Sequence, residues 1–239
     1  MRYGDADMAL PVNKRKNVTY TGGRRRRLPD VPGLAYERDW WAEGAVVAGI
    51  DEVGRGAWAG PVTYTAVVLP TDRRMYKLRD SKMLDPQRRA ELAGRIRGFA
   101  LAVGIGHATN HEIDALGMSD AIRLAARRAV DGLAVRPDVC LLDGNWDFLA
   151  GYGTHNVRIV HGDAHSASIA AASIVAKVTR DELMTEHCPR FPEYGFSRNK
   201  GYPSDEHQDS LERHGPCVLH RHSWAPIASL AQGRLELDC

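Results

Sequence analysis

The stretch Ala45-Val-Val-Ala-Gly-Ile-Asp-Glu-Val-Gly-Arg-Gly56 places an apolar run directly before two acidic residues. The apolar half, residues 45–50, predicts a buried strand. Asp51 and Glu52 follow it at once, and two glycines flank Arg55. Carboxylates beside a buried strand are costly unless they are paired, hydrogen-bonded or metal-bound. The stretch therefore predicts both a strand of a sheet and a site at its end.

Two further predicted strands run into acidic residues in the same way. Residues 139–142 are followed by Asp143, and residues 157–160 by His161-Gly162-Asp163. Ligands of open α/β sheets gather at strand ends, so neighbouring strands would bring these acids and Asp51-Glu52 together. Four close negative charges repel unless a cation lies between them. Carboxylate oxygens suit Mg²⁺ or Mn²⁺, and two such ions about 3.5–4 Å apart can hold the attacking and leaving oxygens of a phosphodiester.

Each acid also has a simpler interpretation, which spacing alone leaves open. Asp143 precedes Gly144 and fits a turn, and Asp163 could begin the helix that starts near Ser166. The residues by themselves indicate a metal-dependent phosphotransfer or hydrolysis site without deciding the reaction.

The composition is that of a soluble globular protein, with 44% apolar and 26% charged residues among 239. There is no uncharged apolar run of about 18 residues and no secretory signal, so we expect a cytoplasmic protein without a membrane partner. The four cysteines form no CxxC pair, which favours a reduced chain, and Cys217 with His220 and His222 matches no standard zinc spacing. Nothing in the sequence calls for more than a monomer.

The chain divides into three parts by composition and hydrophobic pattern. Residues 1–33 are polar, with seven basic and no acidic residues between Pro11 and Leu28, which predicts a flexible basic extension that can touch phosphates. Residues 34–44 predict a short docking helix, and residues 45–239 the main domain.

The main domain alternates between strand and helix patterns. We predict strands at residues 45–50, 62–69, 101–108, 139–142 and 157–160, and helices at 87–99, 112–116, 119–133, 166–187 and 204–214. Ser119 and Ser204 are predicted N-caps. This order indicates a mixed α/β sheet flanked by helices.

The segment Ala48-Gly-Ile-Asp-Glu-Val-Gly-Arg-Gly56 resembles the signature of the type 2 ribonucleases H, the bacterial ribonuclease HII family. Similar elements continue in the family's order across roughly residues 45–226. They are Asp80-Ser81-Lys82, Glu112-Ile113-Asp114, Leu141-Leu142-Asp143-Gly144, Gly162-Asp163, Ser168-Ile-Ala-Ala-Ala-Ser-Ile-Val-Ala-Lys177, Arg180-Asp181, Tyr194-Gly195-Phe196, Lys200-Gly201-Tyr202 and His220-Arg221.

The resemblance implies a ribonuclease-H-like fold with a C-terminal helical segment. It implies an endonuclease that hydrolyses the RNA strand of RNA–DNA hybrids and cuts 5′ of single ribonucleotides in duplex DNA, with two Mn²⁺ or Mg²⁺ ions, leaving 3′-hydroxyl and 5′-phosphate ends. The family's metal-binding and catalytic acids fall on Asp51, Glu52, Asp143 and Asp163. Its substrate-binding residues fall on Gly54, Arg55, Gly56, Lys82 and Tyr202.

Elementary chemistry fits these roles. Two glycines let the backbone approach a 2′-hydroxyl, and Arg55 between them can hold a phosphate. Tyr202 could press its ring on the neighbouring deoxyribose. Without the resemblance, a plain turn and a core tyrosine remain open alternatives. Val53 departs from the family's usual alanine and Met83 from its usual second lysine, and neither change removes an acid.

Two other functions use the same residues differently. Another nuclease or strand-transfer enzyme of this fold would need the acids but neither residues 54–56 nor Tyr202. A non-catalytic nucleic-acid-binding module would bind without metal dependence and without cleavage.

Overall fold

The computed structural model describes residues 31–75, 78 and 85–235, with the backbone alone for residues 231–235. Most of the predicted basic extension, residues 1–30, lies outside the described residues. Gly33, at its predicted boundary, is joined to the domain, because its N–H donates to the carbonyl of His165 (3.0 Å) and its carbonyl accepts from the N–H of Ala167 (2.8 Å).

A five-stranded mixed sheet forms the centre of the described chain. Its strands are β1 (Val47–Val53), β2 (Val62–Val68), β3 (Ala102–Ala108), β4 (Val139–Asp143) and β5 (His155–Ile159). They lie in the order β3-β2-β1-β4-β5. The pairs β1–β2 and β2–β3 are antiparallel, whereas β1–β4 and β4–β5 are parallel. The predicted mixed sheet is confirmed, and its parallel half contains all the strands that lead to the predicted acids.

Helices cover both faces of this sheet. They are α1 (Ala35–Trp41), α2 (Pro86–Phe99), α3 (Asn110–Leu116), α4 (Met118–Asp131), α5 (Gly162–His165), α6 (Ala167–Glu186), α7 (Phe196–Asn199), α8 (Asp205–His214) and α9 (Ala225–Leu235). One face packs on α4 and the other on α2 and α6. Helix α6 approaches β1 very closely, because a Cβ placed on Gly49 would lie 2.3 Å from the backbone nitrogen of Ile169. No helix of the described chain is both long and apolar enough to cross a membrane.

Several boundaries differ from the predicted ones. Strand β5 begins two residues earlier, since His155 pairs with Val139 in the parallel register of β4. The predicted N-cap at Ser119 is wrong. Helix α3 ends directly before Gly117, whose φ of 77° turns the chain into α4 at Met118 without a side-chain cap. Helices α5, α7 and α9 were not predicted, the first two being only four residues long.

The C-terminal helices enclose two buried histidines. His220 Nδ1 accepts from the N–H of Cys217 (2.9 Å), so its Nε2 carries the proton and donates to Nε2 of His207 (3.0 Å). His207 in turn donates from Nδ1 to the carbonyl of Tyr202 (2.9 Å). Burial lowers the pKa of both, and that of His220, further opposed by His207, falls to about 3. The pair is therefore neutral and fully hydrogen-bonded at neutral pH.

We expect this pair to make the fold acid-labile below pH 6.5. An unfolded histidine takes up its proton near pH 6.5, whereas folded His220 does so only near pH 3, so the unfolded state binds more protons in between. The free energy of unfolding should fall by roughly 2–3 kcal/mol between pH 6.5 and 4.5 from this group. Urea unfolding of wild type and His220→Gln across this range measures it. The variant should show the shallower pH dependence, and equal slopes would contradict the assignment.

Candidate active site

The predicted acids lie at one edge of the sheet. Because β1, β4 and β5 are adjacent and parallel, their carboxyl ends meet there. Asp51 and Glu52 lie inside β1, which extends to Val53 through its pairing with β2. Asp143 ends β4, and Asp163 lies in α5 just after β5. The condition set by the sequence, that the three strands be neighbours, is met.

The charges of three acids reach one another. Burial is the main cause that raises the pKa of Asp51 well above its ordinary value, and the negative charges of Glu52 and Asp143 raise it further. Burial and then Asp143 also raise the pKa of Glu52, while Arg55 opposes the shift. A hydrogen bond from Ser173 partly stabilises ionised Asp51. Repulsion among buried carboxylates is what a cation would relieve.

A turn after β5 connects Asp143 to Asp163, the fourth acid. The backbone N–H of Gly162 donates to Oδ1 of Asp143 (2.6 Å), and Asp163 is the next residue. His161 before it adopts a left-handed conformation (φ 55°), which is uncommon outside glycine. The position of Asp163 is thus coupled to that of Asp143 through one hydrogen-bonded turn.

The donor set fits a hard divalent cation at an open site. Among residues 31–75, 78 and 85–235, no three His, Cys, Asp or Glu side chains are already arranged to hold a metal ion. Mg²⁺ normally keeps several waters and binds through one or two carboxylates together with substrate phosphates, so a closed protein cage is not required. An edge at which burial and mutual repulsion raise the pKa of Asp51 and Glu52 meets that need, and the four acids stay predicted ligands.

The loop after β1 requires a glycine at its first position. Gly54 has φ 88°, and a Cβ there would lie 2.2 Å from Nε of Arg180. A Cβ on Gly56 would meet nothing within 4 Å of the described chain, so the space beside it is open. Arg55 between them is exposed and close enough to Glu52 to lower its pKa.

Tyr202 is joined directly to this loop. Its hydroxyl accepts a hydrogen bond from the N–H of Gly54 (2.9 Å), and the guanidinium of Arg180 lies 5.1 Å from its ring centroid. Its side chain is only partly buried, which leaves surface for a ligand. The structure therefore brings together Gly54, Arg55, Gly56 and Tyr202, whereas Lys82 lies outside the described residues.

Arg180 is one of two buried arginines for which the sequence analysis predicted no role. It is fully buried in α6 and donates to the carbonyls of Ala59 (2.9 Å), Pro61 (2.9 Å) and Lys200 (2.8 Å). Its spacing of four residues from the buried Ala176 and Met184 was a signal that it faces the core.

Arg221 is the second buried arginine, and it holds the loop from its other side. It donates to the carbonyls of Gly54 (2.6 Å), Arg55 (3.0 Å) and Gly60 (3.1 Å). Burial, and next the positive charge of Arg180, lower its pKa to about 9. The buried guanidinium groups of Arg180 and Arg221 thus donate hydrogen bonds to backbone carbonyls and hold residues 54–61 in one conformation.

Known proteins are similar to this chain in sequence and in fold. The chain matches the family model described as Ribonuclease HII over residues 48–227. Ribonuclease HII of Moorella thermoacetica is 49% identical over 205 residues, which are 85% of this chain and 98% of the relative. Ribonuclease H2 of Pyrococcus horikoshii OT3 superposes with a TM-score of 0.68 at 25% identity, covering 78% of this chain and 97% of that structure.

A more distant structure, Bst ribonuclease HIII solved in complex with Mn²⁺, superposes with a TM-score of 0.63. It is 17% identical, with 79% of this chain and 70% of that one covered, and shares the fold alone. The predicted ribonuclease-H-like fold with a helical C-terminal part is confirmed. The family match covers three quarters of the sequence, so the chain belongs to the ribonuclease HII family and is a ribonuclease H, a hydrolase.

Proposed function

We propose that this ribonuclease H, which cleaves the RNA strand of RNA–DNA hybrids as its family does, also cuts 5′ of a single ribonucleotide in duplex DNA. Cleavage leaves a 3′-hydroxyl and a 5′-phosphate. The observation that carries the proposal is the hydrogen bond between the N–H of Gly54 and the hydroxyl of Tyr202 (2.9 Å). This bond holds the loop of residues 54–56, which could contact the ribose, against the ring of Tyr202, which could contact the neighbouring deoxyribose. The loop follows directly after Asp51 and Glu52 of β1.

Asp51, Glu52, Asp143 and Asp163 would hold the divalent cations on which the ribonuclease H family depends. We propose two Mn²⁺ or Mg²⁺ ions, which when bound supply an activated water and neutralise charge on the leaving oxygen. The acids would hold those ions at the carboxyl ends of β1 and β4 and in the turn after β5, where a scissile phosphate can meet them.

Residues 54–56 would select the ribonucleotide. Arg221 fixes the backbone of this loop through the carbonyls of Gly54 and Arg55, so the remaining N–H and C=O groups of the loop keep one orientation. The open space beside Gly56 would admit a sugar. The backbone can then meet a 2′-hydroxyl that deoxyribose lacks. Exposed Arg55 would hold an adjacent phosphate, and the ring of Tyr202 would press on the following deoxyribose.

Other parts of the proposal concern the surroundings of the site. Lys82 would contact the nucleic-acid backbone, and the basic residues of segment 1–33 would add phosphate contacts that weaken with salt. The chain would act as a monomer in the cytoplasm, where it would take part in RNA primer removal and ribonucleotide repair.

Tyr202 variants test whether this residue recognises the deoxyribose next to the ribonucleotide. Tyr202→Ala should lower cleavage at a single embedded ribonucleotide by about tenfold to a hundredfold, the usual worth of a lost stacking platform, and lower hybrid cleavage less. Tyr202→Phe keeps the ring but leaves the N–H of Gly54 without its acceptor, so a loss of about fivefold is expected. Steady-state rates on both substrates measure this.

The two variants separate the ring from the hydroxyl. Equal losses on the hybrid and on the embedded ribonucleotide would make Tyr202 a general support. Full activity of Tyr202→Ala on both substrates would show that Tyr202 has a structural role and does not contact the substrate.

A further inference from the structure

Glu37 of helix α1 is a fully buried acid outside the predicted site. Its Oε1 accepts three hydrogen bonds, from Oγ of Ser166 (2.6 Å), the N–H of Ser168 (2.9 Å) and Oγ of Ser168 (2.7 Å). Its Oε2 is buried and finds no hydrogen-bond partner in the described part of the chain. A buried polar atom without a partner is costly, and its retention calls for an explanation.

The bonds of Glu37 continue to the active-site edge. Ser166, which donates to Glu37, also donates its backbone N–H to the carbonyl of Gly162 (2.8 Å). The N–H of Gly162 in turn donates to Oδ1 of Asp143 (2.6 Å). Asp163 lies inside the turn that these bonds close. An unbroken path of hydrogen bonds therefore runs from α1 to one predicted metal ligand and around a second.

Glu37 also fixes where α6 meets β1. A Cβ on Gly49 would lie 2.2 Å from the carbonyl carbon of Ser168, so the helix and the strand touch at the residue that Glu37 holds. Five residues further along α6, Ser173 hydrogen-bonds Asp51. A shift of the helix start would be transmitted to Asp51 as well as to Asp143.

We propose that Glu37 is a positioning residue for the metal-binding acids, acting through Ser166, Ser168 and Gly162. The proposal rests on the proposed function, since it takes Asp51, Asp143 and Asp163 as metal ligands. It gives α1, which precedes the part of the chain matched by the family model, a role in metal binding. Partners that orient metal ligands typically change metal affinity by about 10- to 100-fold when they are lost.

Binding of Mn²⁺ without nucleic acid tests this role directly. We would follow free Mn²⁺ by electron paramagnetic resonance with the full chain, its Glu37→Ala variant and its Glu37→Gln variant. Glu37→Ala should raise the Kd by about tenfold or more. Glu37→Gln keeps an oxygen that can accept the same three bonds, so its Kd should stay within a few-fold of wild type. Amide hydrogen exchange at Gly162 should quicken in the Ala variant alone.

Val130→Ala is the matched control. It removes buried apolar volume from α4, on the opposite face of the sheet, and should lower the melting temperature without changing the Kd for Mn²⁺. An unchanged Kd in Glu37→Ala, or an equal rise in Val130→Ala, would overturn the positioning role. A different result, a wild-type chain that binds no Mn²⁺ and cuts no hybrid, would overturn the proposed function itself.

Discussion

Asp143→Asn should leave the chain folded and lower hybrid cleavage by more than about 100-fold, beyond the usual effect of residues that only orient metal ligands. Asparagine keeps an oxygen that can accept the N–H of Gly162, so the turn after β5 survives. It removes the negative charge that a divalent cation requires. It also removes a charge that raises the pKa of Asp51 and Glu52, so the melting temperature should hold or rise.

A nearby substitution of the same type provides the control. Asp147 accepts hydrogen bonds from the N–H of Leu149 (3.0 Å) and from Asn156 (3.0 Å), and it is not a predicted ligand. Asp147→Asn should therefore keep its cleavage rate. Initial rates at saturating Mn²⁺ compare the two variants. Activity of Asp143→Asn within tenfold of wild type would remove Asp143 from the site.

Arg221→Leu should strongly lower the free energy of unfolding, because Arg221 holds the loop that follows β1. It removes the guanidinium donor from the carbonyls of Gly54, Arg55 and Gly60, of which that of Gly54 keeps a longer hydrogen bond from the N–H of Ala57 (3.3 Å). A buried acceptor left unpaired costs about 1–3 kcal/mol. Relief of its repulsion with Arg180 offsets part of this, so we expect a net loss of roughly 3 kcal/mol. Residues 54–56 would also lose their fixed path, and selectivity for ribonucleotides should fall.

Urea unfolding measures the first effect, and rates on ribonucleotide-containing and all-DNA duplexes the second. Arg213→Leu, at a side chain that is 73% exposed, is the control and should change the free energy of unfolding by less than about 0.5 kcal/mol. A loss below about 1 kcal/mol in Arg221→Leu would show that the loop holds its conformation without this guanidinium.

The acids could be predicted because their signal is local. Each follows an apolar run long enough to be a strand, and Asp143 lies at the end of β4, one residue beyond the predicted strand end. Asp51 and Glu52 lie inside β1, which continues three residues beyond its predicted end to Val53. Their meeting at one edge could not be read from the same pattern, because it depends on β4 pairing with β1 and not with β3. The family resemblance implied a site of four carboxylates, and the strand order that brings their strands together comes from the structure.

The supporting residues could not be predicted because their partners are distant in sequence. Arg221 bonds carbonyls 161 to 167 residues away, and Glu37 bonds serines 129 to 131 residues away. Those partners are backbone groups or common serines, which leave no mark in a sequence. Two smaller errors also come from features that leave no sequence pattern. Helix α5 is a single turn of four residues, and the start of α4 is set by the positive φ of Gly117 and not by a cap at Ser119.

Cleavage of a duplex that contains one ribonucleotide is the most direct test of the central claim. The substrate is compared with an all-DNA duplex of the same sequence and with an RNA–DNA hybrid, each with and without Mn²⁺. We predict a single Mn²⁺-dependent cut on the 5′ side of the ribonucleotide, with a 3′-hydroxyl and a 5′-phosphate, and an intact all-DNA duplex. Cleavage of the hybrid with the single-ribonucleotide duplex left whole, or equal cleavage of the all-DNA duplex, would contradict it.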